Sequence, residues 1–389
     1  MPQPSTSGAA VTPLRARTHK AASLLQHRSL QCLKGKPTTA PGDKVLIYNP
    51  YLSALGGGER YTFSLAEHLR ERCDVTIGSG RLPRSDRMQA LGFPTTFPLE
   101  EIPASMFSTA SHSYDAAVYF ALEPPPVSLA RNSFLVVQFP FRRLDRSPRA
   151  WMREFVGLWS YGECVVYSEF AKRWLRKRWH RRGAILSPQV TLGRFDAQHK
   201  GNLILSVGRF FAGAHAKRQD VLVEAYKLLS ADIRAKWHLV LAGGLAPNER
   251  DAEVVRQLQL AAAGYDIRIL TNVSQAQLDQ LYGQAALFWH ATGFGRRRDE
   301  PEKAEHFGMT TVEAMSYGVV PLVYPDGGQV EIVTEQTGFF WKTPSELAQR
   351  TEELIRKPHR LRLFAEHAAR ASERYGEPSF RRAAIGIFS

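Results

Sequence analysis

From Asp43 onward the chain alternates short, continuously apolar runs with amphipathic stretches. The first run is KVLIYNPYL (44–52). The glycine turn GGGE (56–59) follows, and then YTFSLAEHLRER, whose apolar positions recur at helical spacing. DVTIGSG, YDAAVYFAL, FLVVQFPF and ECVVYSEF predict further strands, with a helix over RAWMREFVGLW before the last of them. A second alternation starts near residue 200. Its strands are LILSVGRF, WHLVLAGG, DIRILTN, ALFWHAT, VVPLVYPD and GFFWK. Its helices are KRQDVLVEAYKLLS, ERDAEVVRQLQLAAAG, QAQLDQLYGQ, TTVEAMSYG, VEIVTEQ and SELAQRTEELIRK. Strands apolar on both faces and separated by helices predict parallel sheets covered on both sides.

The expected architecture is therefore α/β, with two Rossmann-like, doubly wound domains over 43–190 and 197–371 that meet near 187–200. A chain of 389 residues accommodates two such cores. The last residues, 372–389, are free to return to the first domain. Residues 1–42 are rich in Pro, Ser, Thr and Ala and lack periodicity, so they read as a disordered basic tail. An acid-free leader of this kind also resembles a transit peptide.

Composition narrows the function classes. No stretch approaches the roughly 18 apolar residues of a spanning helix, which argues against a membrane-embedded enzyme. Cys32, Cys73 and Cys164 are far apart and odd in number, fit no metal-ligand spacing, and suit a reducing, cytoplasmic setting. The net charge of +14 is concentrated in two places: six Lys/Arg without an acid over 1–42, and seven without an acid over 170–182 (FAKRWLRKRWHRR). No nucleic-acid-binding module accompanies them. On a helical wheel Phe170, Ala171, Trp174, Leu175 and Trp179 share one half of the second segment, and Lys172, Arg173, Arg176 and Lys177 take the other. Such a helix either packs its apolar half on the first sheet or lies on anionic lipid at the inner face of a membrane.

Candidate chemistry gathers where strands end, the place where open parallel sheets bind ligands. In EHFGMTTVEAM (305–315), Gly308 precedes a helix start whose unpaired N–H groups suit an anion such as a diphosphate. Glu305 lies before that start and Glu313 within the first turns, so two carboxylates can address opposite ends of one polar ligand. The ordinary alternative is a solvated Glu305 and a Glu313 that only favours its helix dipole. In SVGRFFAGAHAKRQD (206–220), a strand ends at Gly208-Arg209 and Lys217 opens a helix. Cations there are unfavourable unless they face an anion. Gly56, Gly57, Gly58 and Glu59 form neither a dinucleotide fingerprint nor a Walker loop, and alone they indicate only a tight turn.

Together these segments resemble glycosyltransferase family 4, of the GT-B fold, over residues 44–389 and most strongly over 203–333. The family's Glu-x7-Glu hallmark corresponds to Glu305 and Glu313, and its phosphate-binding pair to Arg209 and Lys217. GRFF, WHATGFG and EHFG resemble the branch of α-1,2-mannosyltransferases of lipid-linked oligosaccharides and their bacterial relatives. The resemblance implies a retaining hexosyltransferase of glycan or polysaccharide biosynthesis that needs no metal or other cofactor; the sequence contains no Asp-x-Asp. Its implied donor is a nucleotide-sugar, GDP-mannose before a UDP-sugar, and its implied acceptor a glycan, lipid-linked or small-molecule hydroxyl. Glu305 would contact the donor sugar and Glu313 the ribose. Phe307, Gly308, Met309 and Thr310 would line the phosphate and sugar through their backbone. Gly243, Gly244, Asn272 and Val273 would border the nucleotide, with Gly57 and Gly58 across the cleft. Where many relatives carry a His in the first domain, this chain holds Gln138, which cannot act as acid or base near neutral pH. A phosphorylase or epimerase of the same fold, or an inactive glycan-assembly subunit, remains the alternative.

Overall fold

The computed structural model describes residues 36–389 except 55, 142–146, 214 and 298. Cys32 and most of the expected tail lie outside the described residues. Among the described residues the first sheet contains β1 (Lys44–Tyr48), β2 (Asp74–Ser79), β3 (Leu99–Glu101), β4 (Ala116–Ala121), β5 (Asn132–Val137), β6 (Glu163–Val166) and β7 (Ala184–Ile185). All pairings are parallel, in the order β3-β2-β1-β4-β5-β6-β7. The helices between them are α1 (Gly57–Leu69), α2 (Ser85–Ala90), α3 (Phe107–Ser111), α4 (Pro148–Trp159) and α5 (Glu169–Trp179).

The second sheet contains β8 (Leu203–Val207), β9 (His238–Gly243), β10 (Ile267–Thr271), β11 (Leu287–His290), β12 (Val320–Val323) and β13 (Phe339–Phe340), ordered β10-β9-β8-β11-β12-β13 and again parallel. Its helices are α6 (Gln219–Lys227), α7 (Ala231–Arg234), α8 (Glu249–Ala262), α9 (Gln275–Gln284), α10 (Met309–Ser316), α11 (Gln329–Ile332), α12 (Pro344–Ile355) and α13 (Pro358–Ser372). Both sheets thus repeat one doubly wound topology, whose strand order reverses between β1 and β4 and between β8 and β11.

The continuous apolar runs have a direct physical cause. In β1, Val45 and Ile47 join one core layer with Tyr61, Phe63 and Leu65 of α1. Leu46 and Tyr48 join the opposite layer with Phe170 and Leu175 of α5. A central strand with helices on both faces leaves no position for a polar residue.

Two expectations change here. Residues 36–42 are not tail. The last helix, α14 (Glu377–Phe388), crosses to the first domain, where Phe380 meets Tyr61 edge-on at 5.5 Å and Phe388 lies 4.6 Å from the Phe134 ring. The Phe388 carbonyl accepts from the Thr39 N–H at 2.6 Å and the Thr39 hydroxyl at 2.9 Å, which ties the 36–42 segment to that helix. Composition hid this because these ordering contacts come from a residue 349 positions away. The second concerns the basic helix α5. Phe170, Ala171, Leu175 and Trp179 are buried in the core, so its apolar half is occupied by the sheet and its cationic face meets solvent. The expected lipid contact through that apolar half is excluded by packing.

Candidate active site

Loops at the reversal points of the two sheets face each other across the interdomain cleft. On the first domain, β1 ends in the glycine turn that opens α1. A Cβ on Gly57 would stand 3.1 Å from the Met309 sulfur, and one on Gly58 would stand 2.3 Å from the Gln138 amide nitrogen. Glycine lets the first turn of α1 come this close to the end of β5 and to α10 of the other domain without displacing the Gln138 and Met309 side chains. Glu59 is buried and its carboxylate accepts the Gly56 N–H at 2.6 Å. Burial pushes its pKa up, opposed by that N–H and by the nearby Arg209 charge. Arg209 of the opposite domain is thus near enough for its charge to act on Glu59.

On the second domain, β8 ends at Gly208-Arg209 and β11 at His290. Between them lies Glu305, nearly inaccessible to solvent. Lys217 donates to its carboxylate at 2.6 Å. His290 Nε2 lies 3.1 Å from the same oxygen, and His215 Nε2 lies 3.5 Å from the other. Burial alone would raise the Glu305 pKa, but the Lys217 ammonium and then His215 outweigh it and hold the carboxyl well below its ordinary range. His306 stacks on Phe139, the neighbour of Gln138, at 4.2 Å and meets His215 edge-on at 4.8 Å. An ionised carboxylate, an ammonium and three imidazoles thus share one water-poor pocket.

Gly308 starts α10 with φ of 120°, a backbone conformation that glycine adopts without strain. Thr311 and Val312 donate to the Gly308 carbonyl, so the Met309 and Thr310 amides lie ahead of the helix's own ladder. The Phe307 side chain turns inward against Tyr375, leaving only its backbone toward the cleft. The loop after β12 was legible in the sequence only as a turn, yet it carries this segment. Gly328 N–H donates to the Glu305 carbonyl at 2.7 Å, and buried Gln329 donates to the Thr311 hydroxyl at 3.0 Å. Gly327, Gly328, Gln329, His215, His290 and His306 are the site residues that motif spacing missed. The PDGG run at 325–328 was the available signal for the first two.

Glu313 occupies a separate end of the cleft. It borders a cavity of about 480 Å³ that Arg60 and Phe93 close from the first domain and Met309, Tyr282 and Tyr317 from the second. Tyr282 donates to it at 2.9 Å. Burial raises its pKa, with the Tyr282 hydroxyl and Arg60 opposing. Gly243, Gly244, Asn272 and Val273 lie at the ends of β9 and β10 and do not line this cavity. Asn272, with φ of 54°, donates its N–H to the Gly243 carbonyl and accepts from the Leu245 N–H at 2.8 Å each, which ties the end of β10 to the turn after β9. Gly243 also leaves room for the Gly208 carbonyl, which a Cβ would approach to 1.9 Å. Gly243 and Gly244 thereby hold the Gly208–Phe210 segment in place, with the Phe210 N–H donating to the Gly244 carbonyl at 2.9 Å.

The imidazoles make stability depend on pH in a defined direction. Desolvation lowers the pKa of His290 and His215 and takes that of His306 well below its ordinary 6.5. The unfolded chain therefore binds these protons at higher pH than the folded one. Their stabilisation is complete above 6.5 and is lost as pH falls below it; the depressed Glu305 carboxyl adds a loss in the same direction at still lower pH. We expect the melting temperature to be level from pH 8 to 7 and to fall toward pH 5. His306→Phe, which keeps the stack on Phe139, should flatten the fall. A melting temperature constant between pH 7 and 5 would contradict this account.

Residues 193–373 match the profile of the glycosyl transferases group 1 family. That span, a little under half of the chain, holds the second-domain charged and imidazole groups described above. In sequence the chain is 27% identical over 202 residues to the GDP-Man:Man(3)GlcNAc(2)-PP-Dol alpha-1,2-mannosyltransferase of Dictyostelium discoideum, covering 49% of this chain and 37% of that protein. It is 27% identical over 188 residues to the Xenopus laevis protein of the same name, covering 45% and 36%. The chain thus spans little more than a third of the length of these relatives. Solved structures extend the likeness beyond that span. HepE of Anabaena, in complex with UDP and glucose, aligns with a TM-score of 0.66 at 17% identity over 87% of this chain and 97% of that one. A glycosyltransferase of Rickettsia africae aligns with a TM-score of 0.68 at 16% identity, over 89% and 97%. The fold is GT-B: two facing doubly wound domains. Among the described residues no helix is long and apolar enough to cross a membrane.

Proposed function

We propose that the chain transfers a sugar from a nucleotide-sugar to a hydroxyl acceptor with retention at the anomeric carbon. GDP-mannose is the favoured donor and a UDP-sugar the next. One observation carries this reading: Glu305 stays ionised against Lys217 immediately before the open amides of α10. The donor diphosphate would lie between those amides and the Lys217 and Arg209 charges, with Glu305 against the sugar and Glu313 toward the ribose. The bond from the anomeric carbon to the phosphate oxygen breaks with its electron pair on the diphosphate. The acceptor oxygen bonds the same carbon from the same face, and its proton passes to the departing phosphate. Fixed charges aimed at the developing diphosphate would supply most of the rate. On this reading Arg209 and Lys217 would supply the positive charge that a divalent cation would otherwise bring, so transfer should survive a chelator. A lipid-linked or glycan hydroxyl would approach from the Gln138 side.

The choice of donor rests on the GDP-Man named for both relatives, and a thermal-shift series tests it. GDP-mannose at about 100 times its dissociation constant should stabilise the chain by about 2.7 kcal/mol. UDP-glucose and UDP-GlcNAc should do less. A larger shift with a UDP-sugar would reassign the donor, and no shift with any nucleotide-sugar would remove the proposal. Free-phosphate dependence, or interconversion of the donor without acceptor, would favour a phosphorylase or epimerase.

A further inference from the structure

We infer that α5 of the first domain is a positioning brace for Glu305, and that the charged cluster of the second domain is aligned only while this helix holds it. Contacts from both ends of α5 cross the cleft and land on both sides of Glu305. Arg178, near the end of the helix, donates to the Glu302 carboxylate at 2.8 Å. Glu302 belongs to the short turn Pro301–Lys303 that leads into Glu305. Ser168, the N-cap residue of α5, donates its hydroxyl to the His306 carbonyl at 2.7 Å. The backbone N–H groups of Glu169 and Phe170 donate to the two oxygens of the Glu331 carboxylate at 2.8 and 2.7 Å. Glu331 lies in α11, two residues beyond Gln329 and the loop whose Gly328 N–H donates to the Glu305 carbonyl. Both flanks of Glu305 and the end of its supporting loop are thus fastened to one helix of the opposite domain.

The chemistry of these contacts separates them from incidental packing. The opening N–H groups of a helix have no partner within it. Here a carboxylate from the other domain takes two of them, each a charge-assisted bond at the positive end of the helix. Separating the domains would return both amides and the Glu331 carboxylate to water. Arg178 departs from the cationic face of its helix. Arg173, Arg176 and Lys177 are exposed, whereas the Arg178 side chain retains 8% exposure. Its guanidinium also donates to the Pro140 carbonyl at 2.8 Å and lies 5.5 Å from the centre of the Phe139 ring, on which His306 stacks. A largely desolvated ion pair adds little net stability, because removing both charges from water offsets their attraction. The pair is better read as fixing where Glu302 sits. Ser168, Arg178 and Glu331 hold the flanks of the Glu305 loop and leave its carboxylate to Lys217, His290 and His215. They are positioning residues. Their effect on chemistry rests on the role proposed for Glu305; the brace itself does not.

Hydrogen exchange of the full chain tests the brace without reference to activity. Arg178→Gln with Glu302→Gln removes the ion pair and strands no charge. Ser168→Asp keeps an N-cap acceptor for α5 but cannot donate to His306, and it sets a second carboxylate against Glu331. In both variants segments 302–308 and 327–332 should exchange about ten-fold faster, while β8 and β9 keep wild-type protection. GDP-mannose supplies the second readout. Its affinity should stay within about two-fold, because the charges and amides assigned to the diphosphate all lie on the second domain. GDP release from it should slow about 10- to 100-fold, the loss expected when a positioned group shifts by up to about 1 Å. Arg178→Lys keeps a cation opposite Glu302, so its rate should fall less than about three-fold. Wild-type exchange over 302–308 in both variants would overturn the inference, whatever happens to turnover. So would faster exchange through the whole second domain with a matching loss of donor affinity, the mark of a general stability defect. If wild type neither binds nor turns over GDP-mannose, the proposed donor falls and the exchange result alone decides the brace.

Discussion

Glu305→Gln lowers the rate constant for sugar transfer by about 100- to 1000-fold, the usual cost of removing one fixed electrostatic contact at a reacting centre. Glutamine keeps the shape of the side chain and one oxygen that can accept from Lys217. On the proposed reading, what it removes is a negative charge beside the anomeric carbon, where positive charge would develop. It also leaves Lys217 without a counter-ion. That ammonium retains 20% of its side-chain exposure, which moderates the stability cost. Donor binding should persist, because the α10 amides, Arg209 and Lys217 are intact, and the thermal shift with the preferred nucleotide-sugar should confirm it. Lys217→Ala differs in kind. It strands a buried carboxylate among three imidazoles and, on the proposed reading, would take a charge from the diphosphate, so donor affinity, rate and melting temperature should all decline. Unchanged turnover in Glu305→Gln, with donor still bound, would take Glu305 out of the chemistry.

The resemblance assigned Glu305 and Lys217 to one donor site, but nothing in the sequence showed them as a direct pair. They lie 88 residues apart and meet because β8 and β11 are neighbours at the point where strand order reverses. The central strands were legible for a simple reason: burial on both faces forces continuous apolar runs. The short edges β3 (LEE) and β7 (AI) were not, since such brief edge strands carry little pattern. The helix expected over VEIVTEQ stops after Ile332. Beyond it the Thr337 hydroxyl accepts the Thr334 N–H at 2.9 Å, a local bond that competes with another helical turn. His290 read as the end of an apolar strand and His306 as part of a motif. Their common pocket exists only once the β11 end, the 305–308 loop and the 325–329 loop are stacked. Tertiary contact, not spacing, makes those imidazoles part of the site.

Gly327→Ala should be the most damaging small substitution outside the charged cluster. Gly327 has φ of 67°, and a Cβ there would stand 1.9 Å from the Glu305 carbonyl oxygen and 2.8 Å from the carbonyl carbon. Left-handed backbone alone costs a non-glycine residue about 1–2 kcal/mol. The clash adds about 1–3 kcal/mol, because its partner is backbone, which cannot swing aside as a side chain can. The same carbonyl accepts the Gly328 N–H, so relieving the clash displaces Glu305 itself. A shift of about 1 Å in a positioned group lowers a rate about 100-fold. The expected result is a clear loss in melting temperature together with a loss in turnover approaching that of Glu305→Gln. Gly264→Ala is the matching control: its φ is 82°, but nothing lies within 4 Å of the added carbon. It should cost only the backbone strain, about 1–2 kcal/mol, and leave transfer intact. If both variants lose the same stability and both keep full turnover, the 325–329 loop does not hold Glu305 in register, and its placement must come from the Lys217 and His290 contacts alone.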